Sequence, residues 1–234
     1  MTTEDSTQPS TIVHVDASQA CCDDTWEAAY QRFESPEEEV AKFRRRLRWF
    51  GADRWDRALS IVELFCGRGN GLVAWRQLGF TNLEGADLSE PLLAEYTGPA
   101  KCYVADCRRL PFEDSSRDVL VVQGGLHHLP DLPGDLEQTL AEAHRVLKRG
   151  GRFLAVEPWN TPYLQFVHAV TALPAARRSW GKLDAFQQLY EHERDTYDNW
   201  RGRPEEILAL FRARFHVERE TARWGKLCFL GRKQ

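Results

Sequence analysis

The sequence predicts an α/β protein built on an open, doubly wound and mostly parallel β-sheet. One observation is an apolar run, residues 61–65, that leads directly into a glycine-rich turn and then into a helical stretch ending at Gly79. A second is that further apolar runs alternate with helical stretches downstream. A third is that these runs carry acidic or amide side chains at their ends. Alternating strands and helices are typical of a parallel sheet with helices on both faces.

Five apolar runs are predicted to be the strands of this sheet. They cover residues 61–65, 82–88, 101–106, 118–123 and 151–157. The first carries Glu63, and the others end at Asp87, Asp106, Gln123 and Glu157. Any one of these acids would also suit a helix cap or a solvated turn. Because the carboxyl ends of parallel strands meet at one edge, the whole set is expected to line one crevice.

The turn after the first strand predicts a binding site for a nucleotide-like ligand. Gly67, Gly69 and Gly71 allow positive φ angles and let a ligand approach the bare backbone. Asp87 follows about 20 residues beyond the loop, where doubly wound folds place an acid on ribose hydroxyls. A glycine pair alone is weak evidence, because many such pairs are ordinary tight turns.

These motifs resemble the class I methyltransferases that use S-adenosylmethionine, of the small-molecule type similar to the ubiquinone and menaquinone C-methylases. The resemblance covers roughly residues 59–157. It implies a Rossmann-like, mostly parallel sheet of seven strands with the last strand antiparallel, and S-adenosyl-L-methionine as the cofactor. The closing helix from Pro204 and the strand pair at 216–220 and 226–230 match the end of that sheet.

The resemblance also assigns residues to the cofactor. It implies that Asp87 holds the ribose hydroxyls and that Asp106, with Cys107 beside it, contacts the adenine. The segment 123–131 resembles the turn that faces the methyl donor. The expected cofactor-binding residues are Glu63, Gly67, Gly69, Asp87, Leu88, Asp106, Cys107, Gln123 and Gly124.

Phe65 departs from the family pattern, which usually has glycine at this position. A phenylalanine there is similar to the Asp-Leu-Phe-Cys-Gly-x-Gly motif of cytosine-C5 DNA methyltransferases. Those enzymes also need a Pro-Cys nucleophile motif, and no Pro-Cys dipeptide occurs in this sequence. The departure therefore concerns the geometry of the loop and not the predicted fold.

The expected chemistry is an in-line displacement at a sulfonium, which needs positioning, desolvation and, for some acceptors, a base. His127 and His128 are the predicted catalytic bases, with a structural role at the turn as the alternative for both. Glu157 and His168 are further base candidates from the substrate side. No metal is expected, because the reaction does not require one and the six cysteines lack paired zinc-site spacings.

A predicted helix precedes the first strand. Ser35, Pro36 and Glu38 form a capping-box start, and an apolar stripe follows until Gly51. The resemblance favours a helix that covers the cofactor pocket, with Tyr30 or an arginine near the methionine carboxylate. The alternative is a packing helix with a solvated arginine face.

Residues 158–203 are predicted to form a helical insertion after the fifth strand. At about 45 residues, this segment is too long for an ordinary connection. It is rich in aromatic residues, and inserted segments over strand ends commonly form lids. Trp159, Tyr163, His168 and Tyr197 are the predicted acceptor-facing residues. The alternative is that the aromatic residues form the insertion's own core.

Composition indicates one globular domain, residues 25–234, preceded by a polar and mobile segment, residues 1–24. The 234 residues are 42% hydrophobic and 28% charged, with no apolar stretch long enough for a membrane and no signal-peptide pattern. A cytoplasmic protein is therefore expected. The formal net charge of −4 disfavours a general nucleic-acid partner. The oligomeric state is left open.

The predicted function is methyl transfer from S-adenosylmethionine to a small, apolar or aromatic acceptor. One alternative is an inactive domain that binds the cofactor as a scaffold or partner protein. Another is a nicotinamide dehydrogenase, which would have a Gly-x-Gly-x-x-Gly fingerprint near the chain start and no Glu63. The sequence instead has Gly-x-Gly-x-Gly together with Glu63.

Overall fold

An eight-stranded sheet forms the centre of the chain, for which the computed structural model describes residues 11–15 and 24–234. The strands are β1 (Ile12–His14), β2 (Ile61–Leu64), β3 (Leu83–Asp87), β4 (Lys101–Val104), β5 (Arg117–Gln123), β6 (Leu147–Pro158), β7 (His216–Arg223) and β8 (Lys226–Arg232). Their order across the sheet is β1-β4-β3-β2-β5-β6-β8-β7. The last strand, β8, is antiparallel to both neighbours, whereas the other pairs are parallel. The predicted doubly wound sheet is therefore confirmed.

The described residues form eight strands where seven were predicted. The additional strand is β1, whose Ile12 lies opposite Cys102 in parallel pairing with β4 at the sheet edge. Three residues with one exposed side chain leave no recognisable apolar run in the sequence. The mobility of residues 1–24 stays a prediction, and apart from 11–15 and Asp24 this segment lies outside the described residues.

Helices cover both faces of the sheet, as expected for this architecture. Those in the described ranges are α1 (Asp24–Phe33), α2 (Pro36–Trp49), α3 (Asn70–Gln77), α4 (Glu90–Ala94), α5 (Gly134–Val146), α6 (Pro162–Thr171), α7 (Pro174–Ser179), α8 (Gly181–His192), α9 (Arg194–Arg201) and α10 (Pro204–Arg214). Leu140 and Phe211 belong to the core on one face. Leu47 and Trp75 belong to the core on the other. None of the described helices is both long enough and apolar enough to span a bilayer.

The start of α2 matches the predicted capping box. The Glu38 backbone N–H donates to Ser35 Oγ at 3.3 Å, and the Ser35 backbone N–H donates to Glu38 Oε2 at 3.2 Å. Phe43 and Leu47 from the predicted apolar stripe are buried. Because the stripe packs on α3 beside the glycine-rich turn, α2 is fixed above the strand ends.

The order in which strands are added to the sheet reverses between β2 and β5, which are parallel neighbours at its centre. β2 pairs with β3 on one side and with β5 on the other, and Glu63 lies opposite Val121. In doubly wound sheets the ligand crevice lies outside the carboxyl ends of the strands at such a reversal. The topology therefore places a crevice next to the glycine-rich turn.

The predicted insertion is helical from α6 to α9, and its last helix is anchored in the core. Trp200 is fully buried, and its indole Nε1 donates to the carbonyl of Pro158 at 2.9 Å. Trp159 packs edge-on against Trp200 with ring centroids 6.3 Å apart. This part of the insertion belongs to the main hydrophobic core and does not form a separately packed lid.

Candidate active site

A cavity lies at the carboxyl ends of β2 and β5, where the sheet topology predicts a crevice. Its floor includes Glu63, Gly67 and Gln123 from the strand ends and the glycine-rich turn. Helices α1 and α2 close it on one side, and α8 and α9 close it on the other. The cavity thus joins the predicted cofactor loop to the predicted insertion.

The glycine-rich turn has the backbone shape that its sequence predicts. Gly67 and Gly69 have φ angles of +49° and +77°, which residues other than glycine rarely adopt. Asp87, at the end of β3, accepts from the Gly67 backbone N–H at 2.8 Å and from the Ser89 backbone N–H at 2.8 Å. Its carboxylate therefore fixes the loop in addition to the ribose role that the resemblance implies.

Phe65 occupies a position that explains why the family usually has glycine there. Its φ angle is +55°, in the left-handed region. Its ring lies against Gly125, where an added Cβ would be only 2.2 Å from Phe65 Cγ. A side chain at position 65 is therefore accommodated because position 125 has none, and the ring forms part of the cavity wall.

Glu63 and Gln123 present buried polar atoms to the cavity. Gln123 Nε2 donates to Glu63 Oε1 at 3.3 Å. Burial raises the pKa of Glu63 to about 8, so the carboxyl group is largely protonated at neutral pH. Within the described residues, Glu63 Oε2 and Gln123 Oε1 are buried without a hydrogen-bond partner. A ligand with a polar, cationic group fits this pair, as S-adenosylmethionine would.

Helices α1 and α2 contribute polar side chains to the cavity wall, of which the sequence analysis predicted only some. Tyr30 Oη donates to Glu39, and Glu39 in turn accepts from Asn70 Nδ2 of α3 at 2.8 Å. Tyr30 lines the cavity, as the resemblance favours. Among the arginines of α2, Arg46 of the last turn lines the cavity, whereas Arg44 points to Gln77 on the outer side.

Lys226, at the start of β8, is a cavity residue that the sequence reasoning missed. Lys226 is exposed to solvent through the cavity. Desolvation by the surrounding cavity wall, with the nearby Arg46 and Lys42, lowers the pKa of Lys226 to about 7. The cavity therefore holds a cluster of basic groups suited to a carboxylate. Lys226 lies on the antiparallel hairpin far along the chain, so no local motif marks it.

The two histidines of the predicted turn lie between two carboxylates. Glu157 accepts from the backbone N–H groups of Gly125 and Leu126, each at 3.0 Å, and its Oε2 is 2.7 Å from His127 Nδ1. Glu193, between α8 and α9, lies 3.5 Å from His127 Nε2 and 4.0 Å from His128 Nδ1. Both histidines and Glu193 line the cavity.

The surroundings of His127 disfavour its predicted role as a base. Burial alone would lower its pKa, but the hydrogen bonds to Glu157 and Glu193 outweigh burial and raise the pKa to about 9. At neutral pH its ring is therefore protonated and cannot accept a proton. For Glu157, burial opposes ionisation, yet His127 keeps the carboxyl pKa below its ordinary value. Glu157 is fully buried and orders the turn, so it is not a base on the substrate side, whereas the base role of His128 stays a prediction.

Asp106 and Cys107 do not line the cavity described above, although the resemblance assigns them to the adenine. The Asp106 carboxylate is 2.6 Å from Arg108 Nη2, and the same arginine bridges to Asp135 at 2.7 Å. Cys107 Sγ is 3.5 Å from Thr139, and burial raises the pKa of its thiol to about 12. An adenine amino group would have to share Asp106 with Arg108, so this assignment stays a prediction.

Of the four predicted lid residues, only Tyr197 lines the cavity in the described structure. Trp159 belongs to the core, and Tyr163 is 47% exposed beside Trp224 at the surface. His168 packs behind Tyr197, and burial lowers its pKa to about 4. Trp159, Tyr163 and His168 therefore lie outside this cavity, because helical periodicity alone does not define which face meets the sheet. Their contact with an acceptor stays a prediction.

Other residues of the insertion also line the cavity, although they are not among the four predicted acceptor-facing residues. They include Phe186, Leu189, Tyr190 and Glu193. The three apolar or aromatic members recur at helical spacing on α8, which marks a buried face but not what it faces. Nothing in the sequence connects Glu193 with the turn that carries His127 and His128, called the histidine turn below.

The close contact between Gly71 and Glu63 gives a testable expectation. A Cβ at position 71 would lie 1.9 Å from Glu63 Oε1, so Gly71→Ala must displace the buried carboxylate. We expect about tenfold weaker binding of S-adenosylmethionine, or about 1.4 kcal/mol, by calorimetric titration. Gly181→Ala is the matched control, since no described atom lies within 4 Å of its added Cβ. Equal affinities in the two variants would contradict the assignment of Glu63 to the ligand.

Comparison with known proteins agrees with the predicted resemblance. Residues 62–155 match the family described as a methyltransferase domain. The chain is 33% identical over 153 residues to a 2-phytyl-1,4-naphtoquinone methyltransferase from Nostoc punctiforme, covering 59% of this chain and 57% of that protein. It is 37% identical over 95 residues to a ubiquinone/menaquinone biosynthesis C-methyltransferase from Bartonella tribocorum, covering 37% and 34% of the two chains. The chain thus spans about half or less of these relatives.

A solved structure extends the similarity to nearly the whole chain. The PH0226 protein from Pyrococcus horikoshii superimposes with a TM-score of 0.66 over 91% of this chain and 100% of its own, at 16% identity. Identity this low shows a common fold alone. The family match runs from β2 to β6 and includes the glycine-rich turn, Asp87 and the histidine turn.

Proposed function

We propose that this chain is a class I S-adenosylmethionine-dependent methyltransferase that transfers the methyl group to a small, apolar or aromatic acceptor. Residues 62–155 match the methyltransferase-domain family, and the two relatives are named as methyltransferases. The observation that carries the proposal is the cavity, where the glycine-rich turn and buried Glu63 face an aromatic wall from the insertion. One half suits a charged donor and the other suits a flat apolar molecule.

The donor half is formed by residues that bind and orient. Glu63 and Gln123 offer buried polar atoms, and the Gly67 backbone gives close approach at the strand end. Arg46 and Lys226 supply positive charge for a carboxylate on the opposite side. S-adenosylmethionine supplies, when bound, a methyl group on a sulfonium that is a good leaving group. The chain then contributes chiefly positioning and exclusion of water.

The acceptor half explains the proposed substrate class. Phe33 of α1 and Phe186, Tyr190 and Tyr197 of the insertion line this side. Aromatic walls favour flat apolar ligands, because they bury large apolar surface and stack on rings. The relatives named as naphtoquinone and ubiquinone/menaquinone methyltransferases support an acceptor of this kind.

The domain organisation is part of the same proposal. Residues 25–234 form one methyltransferase domain, and residues 158–203 act within it as the segment that holds the acceptor. The support is that α8 and α9 contribute cavity residues while the donor motifs lie elsewhere in the chain. His128 faces the same space and is the proposed base where the acceptor needs one.

Titration with S-adenosylmethionine and with NAD tests the proposal against its alternatives. We expect binding of the first ligand alone, and methyl transfer in a screen of phenolic and quinol acceptors. Asp87→Asn is expected to weaken donor binding about tenfold, because an amide cannot accept from both backbone N–H groups. Exposed Asp195→Asn is the control. Donor binding without transfer to any acceptor would favour a scaffold, and NAD binding would favour a dehydrogenase.

The expected cellular setting is inferred from the sequence. A cytoplasmic location and a small-molecule acceptor, with no nucleic-acid partner, are supported by the composition and by the formal net charge of −4. Fractionation of cells that express the tagged chain would test the location.

A further inference from the structure

We propose that His127, His128 and Glu193 bind a divalent transition-metal ion of the zinc class at the acceptor side of the cavity. Each residue offers one ligand atom, and these atoms all lie within 4.8 Å of one another. Two imidazole nitrogens and one carboxylate oxygen are ligands that zinc commonly takes in enzymes. No sequence motif indicates this site, because Glu193 is distant along the chain from the two histidines.

The distances among the three groups are compatible with a single ion. Two atoms that each lie about 2.1 Å from one ion can be separated by at most about 4.2 Å. His127 Nε2 is 3.5 Å from Glu193 Oε2, and His128 Nδ1 is 4.0 Å from Glu193 Oε1. The widest separation, at most 4.8 Å, requires closure by about half an ångström, which a small side-chain rotation supplies.

Glu157 supports the site from behind. Its carboxylate lies 2.7 Å from His127 Nδ1 and is held by two backbone N–H groups, so it fixes the orientation of the ring. A metal-bound histidine typically donates its other N–H to a carboxylate in this way. The Nε2 atom of His127 is thereby directed toward Glu193. Metal binding replaces the proton that the two carboxylates otherwise hold on this ring.

The position of the three groups determines what the ion contacts. All three line the cavity, so a coordination position remains open toward the aromatic wall. An open fourth position is typical of zinc ions that act on a substrate. Given the proposed function, that position would take the oxygen of a phenol or quinol acceptor. The ion would lower the pKa of this hydroxyl, whose proton would pass to solvent. The ion then orients the acceptor and stabilises its anionic form.

Binding of Zn²⁺ to the purified full chain, without donor or acceptor, tests the site. We expect one equivalent per chain by calorimetry and elemental analysis. Affinity is expected to fall at least tenfold in His128→Ala and in Glu193→Gln. His216→Ala and Glu205→Gln are controls, since both side chains are exposed and lie outside the cluster. Glu193→Gln keeps the side-chain volume, and circular dichroism confirms that each variant is folded.

Co²⁺ as a spectroscopic probe distinguishes this site from the cysteines. We expect ligand-field bands of nitrogen and oxygen ligands, without thiolate charge-transfer bands, and loss of these bands in Glu193→Gln. Thiolate bands, the absence of stoichiometric Zn²⁺ binding, or unchanged affinity in both cluster variants would overturn the proposal. Failure of the proposed function would appear separately, as a wild-type chain that does not bind S-adenosylmethionine.

Discussion

Trp200→Ala is expected to lower the free energy of unfolding by about 3–5 kcal/mol, the largest single-residue effect that we predict. Trp200 is fully buried at the end of α9, and its indole donates to the Pro158 carbonyl at 2.9 Å. Truncation removes the packing against Trp159, leaves a cavity and orphans a buried carbonyl. The expected result follows from the position of the ring within the core shared by the sheet and the insertion.

Denaturant unfolding followed by circular dichroism measures this effect. Trp180→Ala is the matched control, because this tryptophan of the same insertion is 58% exposed and its loss is expected to change stability by less than about 0.5 kcal/mol. Equally small decreases in the free energy of unfolding in both variants would show that the insertion does not contribute to the core of the domain. Equally large decreases in the free energy of unfolding would show that Trp180 is packed against other residues in solution.

Glu63→Gln is expected to weaken S-adenosylmethionine binding by about 10- to 150-fold, or about 1.5–3 kcal/mol, at a pH above the Glu63 pKa of about 8. The carboxylate is buried at the cavity floor, where a charge-assisted hydrogen bond to the donor would be poorly screened by water. Glutamine keeps the shape but removes the charge. Glu205→Gln, on the exposed side of α10, is expected to bind like the wild type.

Proton release gives a second measurement at the same residue. Below pH 8 the empty site holds Glu63 protonated, and a cationic ligand favours the ionised form. Donor binding at neutral pH should therefore release protons in the wild type, up to one from Glu63. Calorimetry in two buffers of different ionisation enthalpy measures the number released. The ligand's own titration contributes equally to wild type and Glu63→Gln, so identical proton release in both would refute the role of Glu63.

The main sheet, the donor loop and the closing hairpin could be predicted from the sequence because their determinants are local. The apolar run before Gly67, the acid at Asp87 and the antiparallel pair ending the chain each follow from adjacent residues. The capping residues of α2 are likewise neighbours along the chain. Such features depend on backbone conformation and periodicity, which a short stretch of sequence determines by itself.

Which side chains face the cavity was decided by tertiary packing alone. Helical periodicity marked the aromatic insertion but not the face it presents, so Tyr163 was predicted at the site and Phe186 was not. Lys226 reaches the cavity only because β8 inserts antiparallel beside β6. Glu193 approaches His127 only because α9 packs beside the histidine turn. These contacts join residues far apart in sequence, and only burial of the shared core brings them within ångströms of one another.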